Sequence, residues 1–314
     1  KNYKIRDFSL INVTSNDTLN FRTEFKGGRL GNDFYNLNLY HTIDKNKNNI
    51  VGFKSSEMMF KDFLWTLNAK EDDKNRIIFD KTLTNFSFDD IVISHDNQSM
   101  LLNGMLNGKE DKDLTLVFND VDLNKITPDV EKFNFQGFVD GQVNIKQVNS
   151  VYKPTSNLFI NQLEVNENLL GDMTLDIVGD ENFRKFLINS NIENENLESF
   201  NAIGNLQIVN EDPILDLVLN FRKFNLGVLS NLGGDVITKI RGAVSGSARL
   251  DGNINDIDYN GRLFLEDAGL TIPYLNVDLQ LEENAIVDVT QSKFIIQKSV
   301  IFDTKYQSKG FING

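Results

Sequence analysis

The amino-acid sequence predicts an all-β protein assembled from repeated cassettes of about 100 residues. Three observations carry that expectation. Apolar and polar residues alternate with a period of two in many short stretches, the pattern of a strand with one apolar face. Turn-forming residues separate the stretches: 42 Asn and 21 Gly, against 4 Pro, in 314 residues. Sequence elements also recur at long, nearly constant spacing.

Gly104-Met-Leu-Asn-Gly108 opens a stretch that continues through Leu114, Leu116 and Phe118 as a strand. Leu123, Ile126, Val130 and Phe133 then fall near helical spacing, with Thr127 placed to cap and Pro128 suited to a first turn, so a short helix is expected near 127–133. Gly137-x-x-x-Gly141 leads into alternating Val143 and Ile145. Leu215, Leu217, Leu219 and Phe221 alternate with polar residues, and Leu226, Leu229 and Leu232, followed by Gly233, predict a second short helix over 225–232. Val244, Ala248 and Leu250 share a face with Gly246 and Gly252, opposite Ser245, Ser247, Arg249 and Asp251. Val277, Leu279 and Leu281 alternate with Asp278, Gln280 and Glu282.

The repetition runs through these elements. Gly137 and Gly141 return as Gly242 and Gly246, 105 residues on, and Leu158-Phe159 returns as Leu263-Phe264 at the same offset. Phe118 and Phe221, each ahead of a predicted helix, are 103 apart. The Gly104–Gly108 element returns as Gly310-Phe-Ile-Asn-Gly314, with a fainter copy at Gly204-Asn-Leu. Such a period exceeds that of common solenoids, roughly 20 to 50 residues, so each cassette is a small multi-stranded unit. The expected divisions are 1–113, 114–213 and 214–314, the last cut at its C-terminal end, together forming one continuous sheet. The chain thus reads as an internal piece of a longer repeat protein. Glycines at alternate strand positions suit a sheet that bends.

Composition narrows the function. A formal charge of −13 opposes nucleic-acid binding and polybasic membrane adhesion. With no Cys and only His41 and His95, thiolate metal sites, disulfides and most histidine triads are excluded. No apolar run is long enough to span a bilayer and no h-region opens the chain, so any export signal is expected outside it. Asp44-Lys-Asn46-Lys-Asn48 begins like a calcium loop but has Asn49 and Ser55 where Gly and Glu are needed, so it reads as a polar hairpin turn. Asp120-Val-Asp122-Leu-Asn124 reads as carboxylates at a helix start. His41 and His95 read as surface residues, Glu71-Asp72-Asp73 and Glu110-Asp111 as solvated loops, and Trp65 as core beside Phe60, Phe63 and Leu67. The Asn-x-Ser/Thr sequons at Asn12, Asn16, Asn85 and Asn97 carry little weight in an Asn-rich chain. Catalytic, cofactor and metal sites are therefore not expected, and neither is an enzyme.

The run IRGAVSGSARLDGNINDIDYNGRLFLEDAGLTIPYLNVDLQL from Ile240 to Leu281, with the following FIIQKSVIFDTKYQSKGFING, resembles the repeat unit of the TamB translocation and assembly family in its Bacteroidetes-type form. The stretch from Leu116 to Ile145 resembles the preceding repeat, and residues 20–100 match more loosely. The resemblance implies an AsmA-like protein of a Gram-negative bacterium, anchored in the inner membrane, crossing the periplasm and meeting an Omp85-type (TamA-like) outer-membrane barrel through regions outside this chain. It also implies an elongated, curled half-pipe sheet, a β-taco, whose apolar groove conducts phospholipid between the membranes and supports outer-membrane protein assembly and secretion.

Physical chemistry agrees with such a conduit. A 16-carbon acyl chain exposes roughly 12 kcal/mol of apolar surface at about 0.8 kcal/mol per methylene, so it needs cover across an aqueous gap. The expected groove lining is Leu215, Leu217, Leu219, Phe221, Val244, Ala248, Leu250, Val277, Leu279 and Leu281, with Val143 and Ile145 in the earlier cassette. Two other readings use the same alternation: a chaperone or scaffold that adds strands of outer-membrane barrels to its edges, and a closed β-sandwich structural or adhesin module.

Overall fold

A computed structural model describes residues 5–27, 33–108, 111–127, 133–148, 151–210, 212–254, 256–290 and 293–314. The fold is all-β: among the described residues 23 strands form antiparallel ladders, with three short helical pieces. The chain divides into two compact units, Lys1–Ile126 with Val139–Leu158, and Thr127–Phe138 with Phe159–Gly314. The cassette divisions expected at 113/114 and 213/214 fall inside strands.

The first unit begins with β1 (Arg6–Ser15), β2 (Thr18–Gly27) and β3 (Asp33–Ile43), paired in order. The ladder then forks into β4 (Asn49–Phe53), β5 (Ser56–Phe60), β6 (Phe63–Leu67) and β7 (Arg76–Phe79). β3 pairs with β4 through Leu39 to Ile43 and with β5 through Phe34 to Asn36. β4 pairs with β7, β5 with β6, and both arms close on β8 (Asn85–His95). Strands β9 (Gln98–Asn107) and β10 (Asp111–Asp122) continue the meander to the one-turn helix α1 (Leu123–Ile126), and parts of β11 (Phe135–Val148) and β12 (Val151–Val165) complete the unit.

A fork leaves backbone groups without a neighbouring strand, and buried polar side chains take them up. Asn75, 1% exposed, accepts the Val92 N–H at 2.7 Å and donates to Asp72 at 3.0 Å. Asn68 donates to the carbonyls of Phe53 and Asp72, at 2.7 and 3.1 Å, while the Ser56 hydroxyl accepts the Asn38 N–H at 2.9 Å.

The second unit is a meander of β13 (Asn168–Gly179), β14 (Lys185–Asn194), β15 (Leu197–Val209), β16 (Asp212–Asn225), β17 (Thr238–Asn253) and β18 (Asp256–Ile272). It then forks in the same way. β18 pairs with β19 (Val277–Leu281) through Gly269 to Ile272 and with β20 (Ala285–Thr290) through Asn260 to Leu265. β19 pairs with β22 (Ser299–Asp303) and β20 with β21 (Lys293–Ile296). β23 (Ser308–Ile312) closes on β22, and Gly314 exchanges two backbone bonds with Ile296.

Short helical pieces occur close to both expected places. One turn of helix occupies Leu123–Ile126, started by the Asp122 carboxylate, which takes the Asn124 N–H at 3.0 Å; most of the expected 127–133 segment, residues 128–132, lies outside the described residues. The second, Leu226–Gly233, is a 3₁₀ helix, which suits leucines three apart, and it is capped by the Asn225 side chain and by Gly234 at φ 55°.

The repetition has a structural counterpart. A Cβ on Gly141 would lie 2.2 Å from the Asn157 carbonyl oxygen, and one on Gly246 would lie 2.3 Å from that of Arg262. On Gly104 it would lie 1.9 Å from the Asp113 oxygen, and on Gly204 2.0 Å from that of Asp216. Neighbouring strands come too close at these points for any side chain, the local geometry of a sheet bending toward its glycine-bearing face. Gly310 does not share it: its nearest neighbours are side-chain atoms of Ile301 at 3.4 Å and beyond. A repeated turn escaped the sequence reading. The Asp80 carboxylate accepts the Thr84 N–H at 2.9 Å, and Asp180 accepts that of Arg184 at 2.8 Å. Gly108 then bonds Thr84, as Ile208 bonds Arg184.

Candidate apolar groove

Register decides which side chains share a face. In the second unit Leu215, Leu217, Leu219 and Phe221 on β16 stand opposite Gly252, Leu250, Ala248 and Gly246 on β17, and these stand opposite Ile257, Tyr259, Gly261 and Leu263 on β18. The rows continue the other way into Leu206, Gly204, Ala202 and Phe200 on β15 and then Phe186, Ile188, Ser190 and Ile192 on β14. One face of five strands is therefore apolar without interruption except at glycines and Ser190. Phe200, Phe221 and Phe224 form a ring cluster with centroids 5.4 to 5.6 Å apart.

The expected lining residues of β16, β17 and β19 lie on this face. Between Leu265 and Ala268 a bulge with Asp267 at φ 48° shifts the alternation by one, so that Leu270 and Ile272 stay on the apolar side and meet Leu279 and Val277. Leu281 stands opposite Ile301. Val143 and Ile145 belong to the first unit, on the face opposite Asn144, which accepts from the Thr115 hydroxyl at 2.9 Å, and Lys146, 3.5 Å from Asp113. The first unit has its own apolar face: Phe88, Gly104 and Leu114 form one row, Ile91, Leu102 and Leu116 the next. Val143 and Ile145 are thus the expected lining residues in the first unit; the lining residues of β14 and β15 give a weaker signal in sequence because Ser190 and Gly204 break their alternation.

These faces are incompletely covered. Val244 and Ala248 are buried at 4% and 9% exposure, whereas Leu215, Leu217, Leu219, Phe221, Leu250, Val277, Leu279, Leu281, Val143 and Ile145 are all half-buried. The opposite face carries the charges. Arg249 meets Asp216 at 3.0 Å, Arg262 meets Asp288 at 2.7 Å, and Arg241 holds Asp278 at 2.9 Å while Thr271 and Thr304 also donate to it. The Arg262 guanidinium holds Asp288 below the usual carboxylate range, and the Thr304 hydroxyl, with Thr271 and Arg241, does the same for Asp278. Two hollows, about 310 and 550 Å³, are lined largely by polar-face residues, Lys54 and Arg22 in the first unit and Arg222 and Arg262 in the second.

The remaining sequence candidates are structural. Asp44 closes the β3–β4 turn by accepting the Asn48 N–H at 2.8 Å. Asp122 caps α1, and Asp140 accepts the Asp120 N–H. Trp65 is 2% exposed. His95 is only partly exposed: its ring packs 5.5 Å from Trp65 and 5.9 Å from Phe63, Nδ1 lies 2.7 Å from the Leu64 carbonyl oxygen, and Nε2 lies 3.4 Å from the exposed Asp96 carboxylate. His41 lies 3.0 Å from the Asn49 side-chain oxygen. Among the described residues no group of three or more acidic, His or Cys side chains is arranged to hold a metal ion, and no helix is long and apolar enough to cross a membrane. No family model, curated protein or solved structure matches the chain.

Proposed function

We propose that this chain is a periplasmic segment of a TamB-like, inner-membrane-anchored protein, and that its apolar faces line a trough for phospholipid acyl chains moving between the two membranes. The observation that carries the reading is the incomplete cover of the lining. A sandwich packed on itself buries such leucines and phenylalanines fully, yet most stay partly exposed along whole rows while the reverse face holds the ion pairs. The glycines that draw strands together on the apolar side favour a concave surface there. Attachment to an Omp85-type barrel and support of outer-membrane assembly belong to the same proposal and to parts of the protein beyond these residues.

Photo-crosslinkers at Leu217 and Leu250, compared with Asn220 and Arg249 on the polar face, test it in cells. Lipid adducts are expected at the first pair and not at the second. Equal labelling of both faces, or none, would overturn the trough. Leu250→Asp should reduce lipid co-purifying with the chain while leaving its circular dichroism unchanged.

A second reading, strand addition by unfolded barrel substrates, is favoured by β1. All ten of its residues are exposed, with Phe8, Leu10, Ile11 and Val13 each more than half so, and among the described residues it pairs only with β2. Val13→Lys should lower capture of unfolded barrel peptides if this edge receives strands.

A further inference from the structure

One end of the second unit carries side chains that its fold does not require. Thr238 pairs with Thr271, so the residues leading into β17 lie beside the 3₁₀ turn Pro273–Leu275 that follows β18. The β22–β23 turn joins them, because the Asn276 amide donates to the Tyr306 hydroxyl at 2.7 Å and Lys305 Nζ reaches the Asn276 side-chain oxygen. The tip so formed exposes Tyr274 at 93%, Val236 at 67%, Tyr306 at 60% and Leu275 at 59%, with Lys239 and Lys305 exposed among them.

Turns ordinarily carry Asn, Asp, Gly, Ser and Pro, for reasons of backbone conformation. At the matching points of its fork the first unit carries mainly polar residues and no aromatic one: β3 passes to β4 through Asp44-Lys-Asn-Lys-Asn48, and β7 to β8 through Asp80-Lys-Thr-Leu-Thr84. The same pairing scheme is thus built without aromatic residues at these turns in one unit, where Leu83 is the exposed apolar residue at 61%, and with Tyr-Leu and Lys-Tyr turns in the other. The aromatic tip is an addition to the fold.

We infer that this tip docks into the interfacial layer of a phospholipid bilayer. Tyrosine has an apolar ring and a polar end, lysine an apolar stem and a charged head, and both suit the depth at which headgroups meet acyl chains. The surface is a projecting turn rather than a concavity. Two tyrosines at roughly 200 Å² each, with one leucine and one valine, fall short of the about 800 Å² per partner of a stable protein interface. A bilayer needs only shallow insertion of a few such side chains. With a net charge of −13 on the chain, apolar insertion rather than attraction to anionic headgroups supplies the binding. The inference goes beyond the trough and does not require the trough to carry lipid.

Tyr274→Trp makes the tip report on itself, since Trp65 in the first unit is buried and contributes a constant background. With phosphatidylcholine vesicles its emission should shift to the blue and be quenched by lipids brominated near the headgroup end of the chain. Tyr274→Ser with Leu275→Ser should lower vesicle co-sedimentation at least about tenfold, the factor that burial of one such side chain represents, with an unchanged thermal melt because both side chains lie in solvent. An unshifted emission, binding that needs phosphatidylglycerol and survives the double substitution, or a blue shift produced by raising protein concentration without lipid would each overturn it, the last by pointing to a protein contact. Crosslinking at Leu217 and Leu250 is a separate readout, so the tip and the trough fail independently.

Discussion

The two forks follow one pairing scheme and hold it with different chemistry. In the first unit the junction between the arms is filled by Ser56, Asn68 and Asn75, all nearly inaccessible, whose side chains bond directly to backbone groups. In the second, buried polar residues lie on one arm, Ser299 and Asp303, the latter accepting the Lys305 N–H at 2.9 Å, and the rest of the bracing is partly exposed: Arg241 grips Asp278 on the polar face, and Glu282 accepts the Val300 N–H at 3.0 Å. Buried amides must be satisfied or they destabilise, whereas exposed ion pairs contribute little. The pairing topology does not depend on either solution. What differs is how much of the stability of each unit resides in a few side chains.

Substitutions can break that contrast. Asn75→Ala should have the largest effect, on the order of 4 kcal/mol, because it strands the Val92 N–H and leaves a cavity beside Asn68; a denaturant melt read through Trp65 fluorescence follows the first unit. Gly246→Ala comes next, at about 3 kcal/mol, since φ of 129° and a carbonyl 2.3 Å from the new carbon force the backbone to move. Gly141→Ala, at the earlier copy of the same glycine, should match it in the first unit, where φ is 117° and the Asn157 carbonyl oxygen lies 2.2 Å from the new carbon. Asp278→Asn should be milder, about 0.5 to 1 kcal/mol after allowance for solvent, and should weaken as salt rises.

The pH dependence sharpens the comparison further. Asp80, Asp180 and Asp278 all titrate below the ordinary aspartate value of 3.8, the first two because backbone N–H groups of their turns point at the carboxylate. A depressed carboxyl stabilises the fold fully above its unfolded value, and that stabilisation is lost as pH falls through the folded one. Melting temperature should therefore hold from neutrality to about pH 4 and fall below it in both units. The smallest expected effect is of opposite sign. The Asp267 carboxylate pushes Glu283 upward, so Glu283→Gln should slightly raise stability at neutral pH and change nothing in strong acid.

Much of the strand content was legible because a period of two is a strong signal wherever one face stays apolar, as in Leu215 to Phe221. The glycine repeat was legible for the same reason that it is structural: only glycine fits where a carbonyl lies 2 Å from a would-be Cβ. Residues 49–79 were opaque. There the strands are four or five residues long, and the signal that organises them lies in Asn38, Asn68 and Asn75, which look like the turn-forming asparagines everywhere else in the chain. The packing of His95 was opaque for a related reason, since nothing near it in sequence announces that Trp65 and Phe63 will lie against its ring.

Sequence alone determined the all-β class, the apolar side of the longer strands and the spacing of the glycine cassettes, because each is written in alternation or in the steric demand of one residue type. Tertiary structure decided the rest. The forks, the bulge at Asp267 that keeps Leu270 and Leu279 on the apolar face, and the partial exposure of that face depend on pairings between residues far apart in the chain, and local patterns place no constraint on those.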